Sequence, residues 1–217
     1  MDLLDFARGP AMQWAAWILV AGTIWRIVGI VLLKEKVDHS DPRGPSGLGS
    51  ALKVIYSRSF TAEPFKPATL YPKMLAYVMH LGLFAVVLLF VPHILFFESF
   101  LGFGWPGLPN GAIYVLGVAA VVSGIALLVR RMTSPVLKLI SNLDDYISWL
   151  MTMLPLATGL LIPLRLGVRY ETLLAIHILS VAALLIWLPF GKLGHTFLVF
   201  ITRGTTGMAF ERRGAKT

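Results

Sequence analysis

The chain has 217 residues, of which 57% are hydrophobic and only 14% are charged, and its formal net charge at pH 7 is +8. A soluble domain carries roughly 25% charged residues, so this composition excludes disordered, fibrous and ordinary soluble proteins and favours one compact integral membrane domain. The chain contains no cysteine, which excludes disulfides, thiolate zinc sites, cysteine-ligated iron–sulfur clusters, covalent haem attachment and thiol catalysis.

Five segments are long and apolar enough to cross a bilayer, which takes roughly 20 residues each. In chain order they lie at about 10–33, 74–98, 111–129, 147–164 and 172–202. The sequence therefore predicts an all-α membrane protein with five transmembrane helices, the fifth long enough to continue beyond the bilayer as a tilted helix. The single membrane domain covers 1–217, with one long loop at 34–73 and a tail at 203–217.

The distribution of basic residues predicts how the chain is oriented. Thirteen Lys and Arg residues lie in the 34–72 loop, the 130–145 loop and the C-terminal tail, against three on the opposite side. Cytoplasmic loops carry the excess of Lys and Arg, so we expect the N-terminus outside and the C-terminus in the cytoplasm. The basic excess is thereby explained without nucleic-acid binding.

Four of the five histidines lie in two of the predicted spans, His80 and His93 in the second and His177 and His195 in the fifth. Polar side chains inside a membrane are costly and usually functional. The two spans run in opposite directions, so His80 pairs in depth with His195 near the cytoplasmic face, and His93 pairs with His177 near the outer face. One buried histidine could be an ordinary packing residue, but two on each of two helices favour a set of ligands.

Helical geometry supports the ligand assignment better in the fifth predicted span than in the second. His177 and His195 are 18 residues apart, which places them on one face of a continuous helix at a separation of about 27 Å. His80 and His93 are 13 residues apart, which on an ideal helix gives an angular offset of about 220°. Pro92 precedes His93 and predicts a kink that redirects it.

Two opposed imidazoles at one depth are the axial ligands that a six-coordinate b-type haem requires. The pattern therefore predicts two haem b groups, an inner one on His80 and His195 and an outer one on His93 and His177. Zinc is a poorer fit, because each pair supplies only two ligands and no cysteine is available. Arg26, in the inner half of the first span, either pairs with a haem propionate or extends to the membrane surface.

Several short motifs carry a resemblance to a known family. They are Gly22-Thr-Ile-Trp-Arg26, His80-Leu-Gly-Leu, the step Arg130-Arg131 followed by Ser134-Pro135, Gly159-Leu-Leu-Ile-Pro163, Leu188-Pro189-Phe190-Gly-Lys192-Leu-Gly-His195 and Arg212-Arg213-Gly214. In these motifs the chain resembles the γ subunit of membrane-bound respiratory nitrate reductase and its relatives, which are di-haem cytochromes b. The likeness runs from about residue 10 to 214, apart from the 34–70 loop.

One departure from that family concerns the second span. The second haem ligand of the family falls ten residues after the first, at a position that is Phe90 here, and His93 lies three residues further on. We take His93 as the substitute ligand. The departure suggests a relative that serves another complex in place of a nitrate reductase subunit proper.

The resemblance implies an electron-transfer subunit in the inner (cytoplasmic) membrane of a prokaryote. It would act between the quinone/quinol pool and an iron–sulfur subunit on the cytoplasmic side, which in turn serves a catalytic subunit of a nitrate reductase-like, sulfur- or heterodisulfide-reductase-like, or hydrogenase-linked complex. Quinol is then the substrate, membrane lipid surrounds the spans, and the chain itself supplies no catalytic residue. The loop 34–73 and the tail 203–217 are the expected docking surfaces for the iron–sulfur subunit.

Two other readings remain open from the sequence. A haem-free transporter could use the four histidines to bind a metal or to relay protons, and it would be expected to have acidic residues or broken helices at the bilayer midplane. A purely structural anchor would use the same histidines only for packing.

Overall fold

A computed structural model of the chain describes residues 2–33, 39–44, 46–61, 63–164 and 167–215. This described part of the chain is helical and contains no strand. Five of its helices are long and apolar enough to cross a membrane, namely Leu3–Val31, Glu63–Leu89, Asn110–Thr133, Leu143–Leu164 and Tyr170–Trp187. The expectation of an all-helical chain with five potential membrane spans is confirmed.

The α-helical segments number ten in the described residues. They are α1 (Leu3–Phe6), α2 (Met12–Val31), α3 (Leu48–Ser57), α4 (Lys66–Leu89), α5 (Val91–Leu101), α6 (Asn110–Thr133), α7 (Pro135–Ile140), α8 (Leu143–Leu161), α9 (Tyr170–Trp187) and α10 (His195–Arg212). A π-helical turn at Ala7–Ala11, which contains Pro10, joins α1 to α2 without a break.

The predicted second span, 74–98, is not one helix. It ends as α4 at Leu89 and restarts as α5 at Val91, and Phe90 between them has an extended backbone with φ −84° and ψ 123°. The cause is Pro92, which has no N–H to donate to the Leu88 carbonyl. The kink expected at this proline is therefore a complete interruption of the helix, and His93 lies on the second piece.

The predicted fifth span, 172–202, is likewise wrong as a single helix. α9 ends at Trp187, a short turn at Lys192–Gly194 follows, and α10 begins at His195. Pro189 lies in the interruption, where a continuing helix would need its missing N–H. Because the helix is interrupted, the argument that His177 and His195 share one continuous helical face does not hold.

The chain forms two compact units. The first combines residues 1–16 with 71–187, and the second combines 17–70 with 188–217. In the first unit α8 packs against α6 and α9, and its apolar core is built on Ala120, Met153 and Leu156. α4 approaches α6 closely at Gly82, where an added Cβ would lie 2.6 Å from the Leu116 carbonyl oxygen, so a small residue at this contact lets the two backbones meet.

In the second unit the loop predicted at 34–73 contains a helix, α3, that packs along α10. Their backbones come close because α10 presents Gly204 and Gly207. A Cβ on Gly207 would lie 2.8 Å from Val54 Cβ and 2.9 Å from the Ser50 carbonyl oxygen. The long loop and the C-terminal helix are thus parts of one structure.

Candidate functional site

The first unit brings His93 of α5 and His177 of α9 close together. Their ring centroids are 6.1 Å apart and the two ring planes differ by 11°. The break at Phe90 makes this possible, since it changes the direction of the chain immediately before His93. These are the two histidines that depth matching paired at the outer face.

The His93 ring is held by the interrupted helix itself. Its Nδ1 lies 2.8 Å from the Val86 carbonyl oxygen, and the Phe90 ring meets it edge-on with centroids 5.2 Å apart. A carbonyl can only accept a hydrogen bond, so Nδ1 carries the proton and Nε2 carries the lone pair. This is the tautomer that binds a metal through Nε2.

The His177 ring is held by two hydroxyl groups of the first unit. Its Nδ1 lies 3.2 Å from Thr158 Oγ1, which itself donates to the Leu154 carbonyl at 2.7 Å. Ser180 Oγ lies 3.1 Å from the same Thr158 oxygen and donates to the His177 carbonyl at 2.6 Å. Both hydroxyl protons have carbonyl acceptors, so Thr158 accepts from the His177 Nδ1–H, and the ring also hydrogen-bonds to the Pro155 backbone.

Gly159 of α8 makes room for that ring. A Cβ at this position would lie 3.1 Å from His177 Cε1 and 3.4 Å from Nδ1. Any side chain here would press on the imidazole from the α8 side, so the glycine serves the position of His177.

The separation of the two rings matches that of two axial ligands of one metal atom. With metal–nitrogen bonds of about 2 Å on opposite sides, the centroids of two imidazoles stand about 6 Å apart, in agreement with the 6.1 Å observed. Metal-binding histidines also use their second ring nitrogen to donate to a carbonyl or a hydroxyl, which fixes their orientation. Both rings meet this condition, so the donor set fits a bis-histidine haem.

His80 and His195 lie in different units, and their pairing at an inner haem stays a prediction. His80 Nδ1 lies 2.7 Å from the Ala76 carbonyl oxygen in α4. His195, the first residue of α10, has Nδ1 2.8 Å from the Lys192 carbonyl oxygen. Each carbonyl favours the same tautomer as in His93, with the proton on Nδ1.

Arg26 lies close to the segment that carries His195. Both belong to the second unit, and Arg26 Nη2 is 3.8 Å from the place that a Cβ on Gly194 would occupy. On the same helix Gly22 packs against Pro189, where a Cβ would lie 2.7 Å from the proline Cγ. Two of the motifs that carry the family resemblance, the one around Arg26 and the one around His195, are therefore neighbours.

The connection between α5 and α6 stabilises the break that positions His93. Trp105 Nε1 donates to the Leu88 carbonyl at 2.5 Å, and Leu108 N donates to the Leu89 carbonyl at 2.8 Å. Both carbonyls lose their helical partner at the interruption, the first because residue 92 is proline and the second because His93 N bonds to Phe90 O at 2.9 Å. The roles of Trp105, Thr158 and Ser180 were missed at the sequence level, where only Pro92 signalled the break.

Within the residues that the structure describes, no group of three or more His, Cys, Asp or Glu side chains could hold a metal ion. A closed tetrahedral zinc site needs four protein ligands and a catalytic one needs three. The His93–His177 pair supplies two, which suits a metal whose remaining ligands come from a macrocycle.

Comparison with known proteins gives a relative over nearly the whole chain. A protein of Nitratidesulfovibrio vulgaris (strain Hildenborough) is 31% identical to it over 224 aligned positions, which cover 97% of this chain and 95% of that protein. The chain belongs to the family of this protein. No protein-family model and no solved structure matches the chain.

Proposed function

We propose that the chain is a di-haem b-type cytochrome membrane subunit. It transfers electrons between the quinone/quinol pool and an iron–sulfur partner on the cytoplasmic side of a respiratory oxidoreductase complex. His93 and His177 hold the outer haem, and His80 and His195 hold the inner one. Haem bound there would supply one-electron redox chemistry, which protein side chains alone cannot provide.

The observation that carries this proposal is the His93–His177 pair. Two nearly parallel imidazoles 6.1 Å apart, each with a hydrogen-bond acceptor at Nδ1, match the separation that two axial ligands need. Packing alone does not require this arrangement, because hydrogen bonds to helical carbonyls would satisfy each ring without bringing the two rings together.

Support for the proposed inner site comes from the sequence depth of its histidines and from Arg26. An Arg guanidinium pairs a carboxylate in a two-pronged contact. The position of Arg26 next to the residue before His195 suits it to hold a haem propionate there. The exposure of its side chain in the second unit leaves the guanidinium accessible to such a partner.

The partners follow from the resemblance to the γ subunit of respiratory nitrate reductase and its relatives. An iron–sulfur subunit, with a catalytic subunit beyond it, would dock on the loop and tail that α3 and α10 join into one structure. Removal of the tail should release this partner while haem is retained, and loss of haem on the same truncation would count against the assignment of the tail to docking.

A haem-free transporter is the second candidate, and the interrupted helix at Phe90 is the observation that favours it. Broken helices in transporters leave backbone groups open to a substrate or an ion. Here the Leu88 and Leu89 carbonyls are already taken by Trp105 and Leu108. The break therefore holds a histidine in place, which favours the cytochrome.

Haem spectra of single histidine variants test the proposal. His93→Ala and His177→Ala should each remove the same b-type signal from the reduced-minus-oxidised spectrum, while His80→Ala and His195→Ala remove the other. His39→Ala, in the exposed loop, is the matched control and should keep both. A low-spin signal that survives both His93→Ala and His177→Ala would contradict the outer site, and a joint effect of His80 and His177 would contradict the pairing.

A further inference from the structure

The surface helix α3 has two opposite apolar faces, of which α10 covers only one. Ser50, Ala51 and Val54 are buried against α10. Leu48, Leu52 and Tyr56 recur at every fourth residue on the other side, with exposures of 75%, 57% and 71%. Residues four apart lie on one face of a helix, so these three form a continuous apolar stripe.

A short connection keeps this stripe close to the start of a potential membrane span. α3 ends at Ser57 and the next potential span begins at Glu63, so the five intervening residues reach at most about 18 Å. The span Glu63–Leu89 has 27 residues, about 40 Å of helix against a hydrocarbon core of about 30 Å. The helix is therefore longer than the core, and the short connection keeps α3 near the end of it at Glu63.

The residues around the stripe suit a lipid interface. The stripe ends in an aromatic residue, Tyr56, whose ring meets the exposed Phe60 edge-on at a centroid distance of 5.1 Å, and aromatic side chains concentrate at this depth of a membrane. Arg43 and Arg58 are exposed in the same segment, and basic side chains beside an apolar stripe attract anionic headgroups.

We propose that α3 is an interfacial helix whose Leu48, Leu52 and Tyr56 insert into the lipid surface on the side of the 34–73 loop. It clamps α10 to the bilayer through its opposite face. This leaves the polar face of α10, which carries Thr202, Thr205 and Thr206, turned toward water. The inference depends only on the chain being a membrane protein, and it stands or falls separately from the haem proposal.

The absence of cysteine from the chain makes a clean labelling experiment possible. A single thiol introduced by Leu52→Cys or by Tyr56→Cys is labelled with an environment-sensitive fluorophore, and the full chain is reconstituted in vesicles of phosphatidylcholine and phosphatidylglycerol. Thr206→Cys on α10 is the matched control, since it lies in the same two-helix structure and is also exposed. Quenching is then measured with a nitroxide near the ester end of the lipid acyl chain and with aqueous iodide.

We expect blue-shifted emission and several-fold stronger nitroxide quenching at positions 52 and 56 than at 206, with the reverse order for iodide. Equal nitroxide quenching at all three positions would overturn the proposal, as would strong iodide quenching at 52 and 56, which would point to a face kept for a protein partner. Efficient oxidative cross-linking of two Leu52→Cys chains would also overturn it, in favour of a second copy.

Discussion

Thr158→Val tests the hydrogen bond that fixes His177. Valine has nearly the shape of threonine, so the substitution removes the hydroxyl and leaves the packing of α8 in place. Thr158 Oγ1 contacts His177 Nδ1 at 3.2 Å, and without it the ring N–H loses that acceptor. The ring keeps its hydrogen bond to the Pro155 backbone, so the expected effect is a weaker hold on the ring: loss of one such support typically weakens metal binding by about 10- to 100-fold.

The exposed Thr202 of α10 gives the matched control. Its hydroxyl donates to the Leu198 carbonyl at 2.9 Å, the same bond to the preceding turn that Thr158 makes to Leu154 at 2.7 Å. Both valine variants lose this bond, and only Thr158→Val also loses the contact to a histidine. The difference between the two variants therefore measures the contacts of Thr158 to His177 and Ser180.

The assay is haem titration of the purified chain, followed by a redox titration of the two b-type signals. Thr158→Val should lower the affinity of one site by about 10- to 100-fold. It should also raise the midpoint potential of that site, because an imidazole that loses one acceptor for its N–H is a weaker base. Thr202→Val should leave both quantities unchanged. Equal behaviour of the two variants would refute the reasoning about His177.

Three further predictions concern stability, measured by thermal unfolding in detergent. Gly207→Leu should separate α3 from α10 and lower the unfolding temperature by several degrees, whereas Gly49→Leu, which meets open space, should not. Lys53 and then Ser50 hold the pKa of Glu211 below its usual value, so this carboxylate stabilises the fold above about pH 4 and the stabilisation is lost as the pH falls through the lowered pKa. Glu211→Gln should flatten that acid dependence. Trp149→Phe removes the 2.8 Å hydrogen bond from Nε1 to the α6 backbone and should lower the free energy of unfolding by about 1 kcal/mol. An unchanged stability in any one of these three variants would contradict the contact that it tests.

The potential membrane spans could be predicted from the sequence because hydropathy over twenty residues is a local property. Where the predictions failed, proline was the cause in both cases. Pro92 was expected to bend a helix and instead ends it, since Trp105 and Leu108 take up the carbonyls that the break exposes. Pro189 was not expected to interrupt the fifth span at all, although its missing N–H gave the same signal.

Some residues of the candidate site could be predicted from the sequence, and others could not. His93 and His177 could be singled out from their type and depth, because a histidine inside a predicted span is conspicuous in any sequence. Thr158 and Ser180 could not, since a hydroxyl in an apolar helix most often bonds to its own preceding turn. Only the packing of α8 on α9 turns the Thr158 oxygen toward the ring. The helix α3 was also missed, because its apolar faces interrupt a loop rich in Gly and Pro.

The most direct test of the account is pyridine-haemochrome quantitation on the purified chain, combined with a reduced-minus-oxidised spectrum. The account predicts two b-type haems per polypeptide, with one of them lost in both His93→Ala and His177→Ala. A purified, folded chain that binds no haem would contradict the account and favour the transporter.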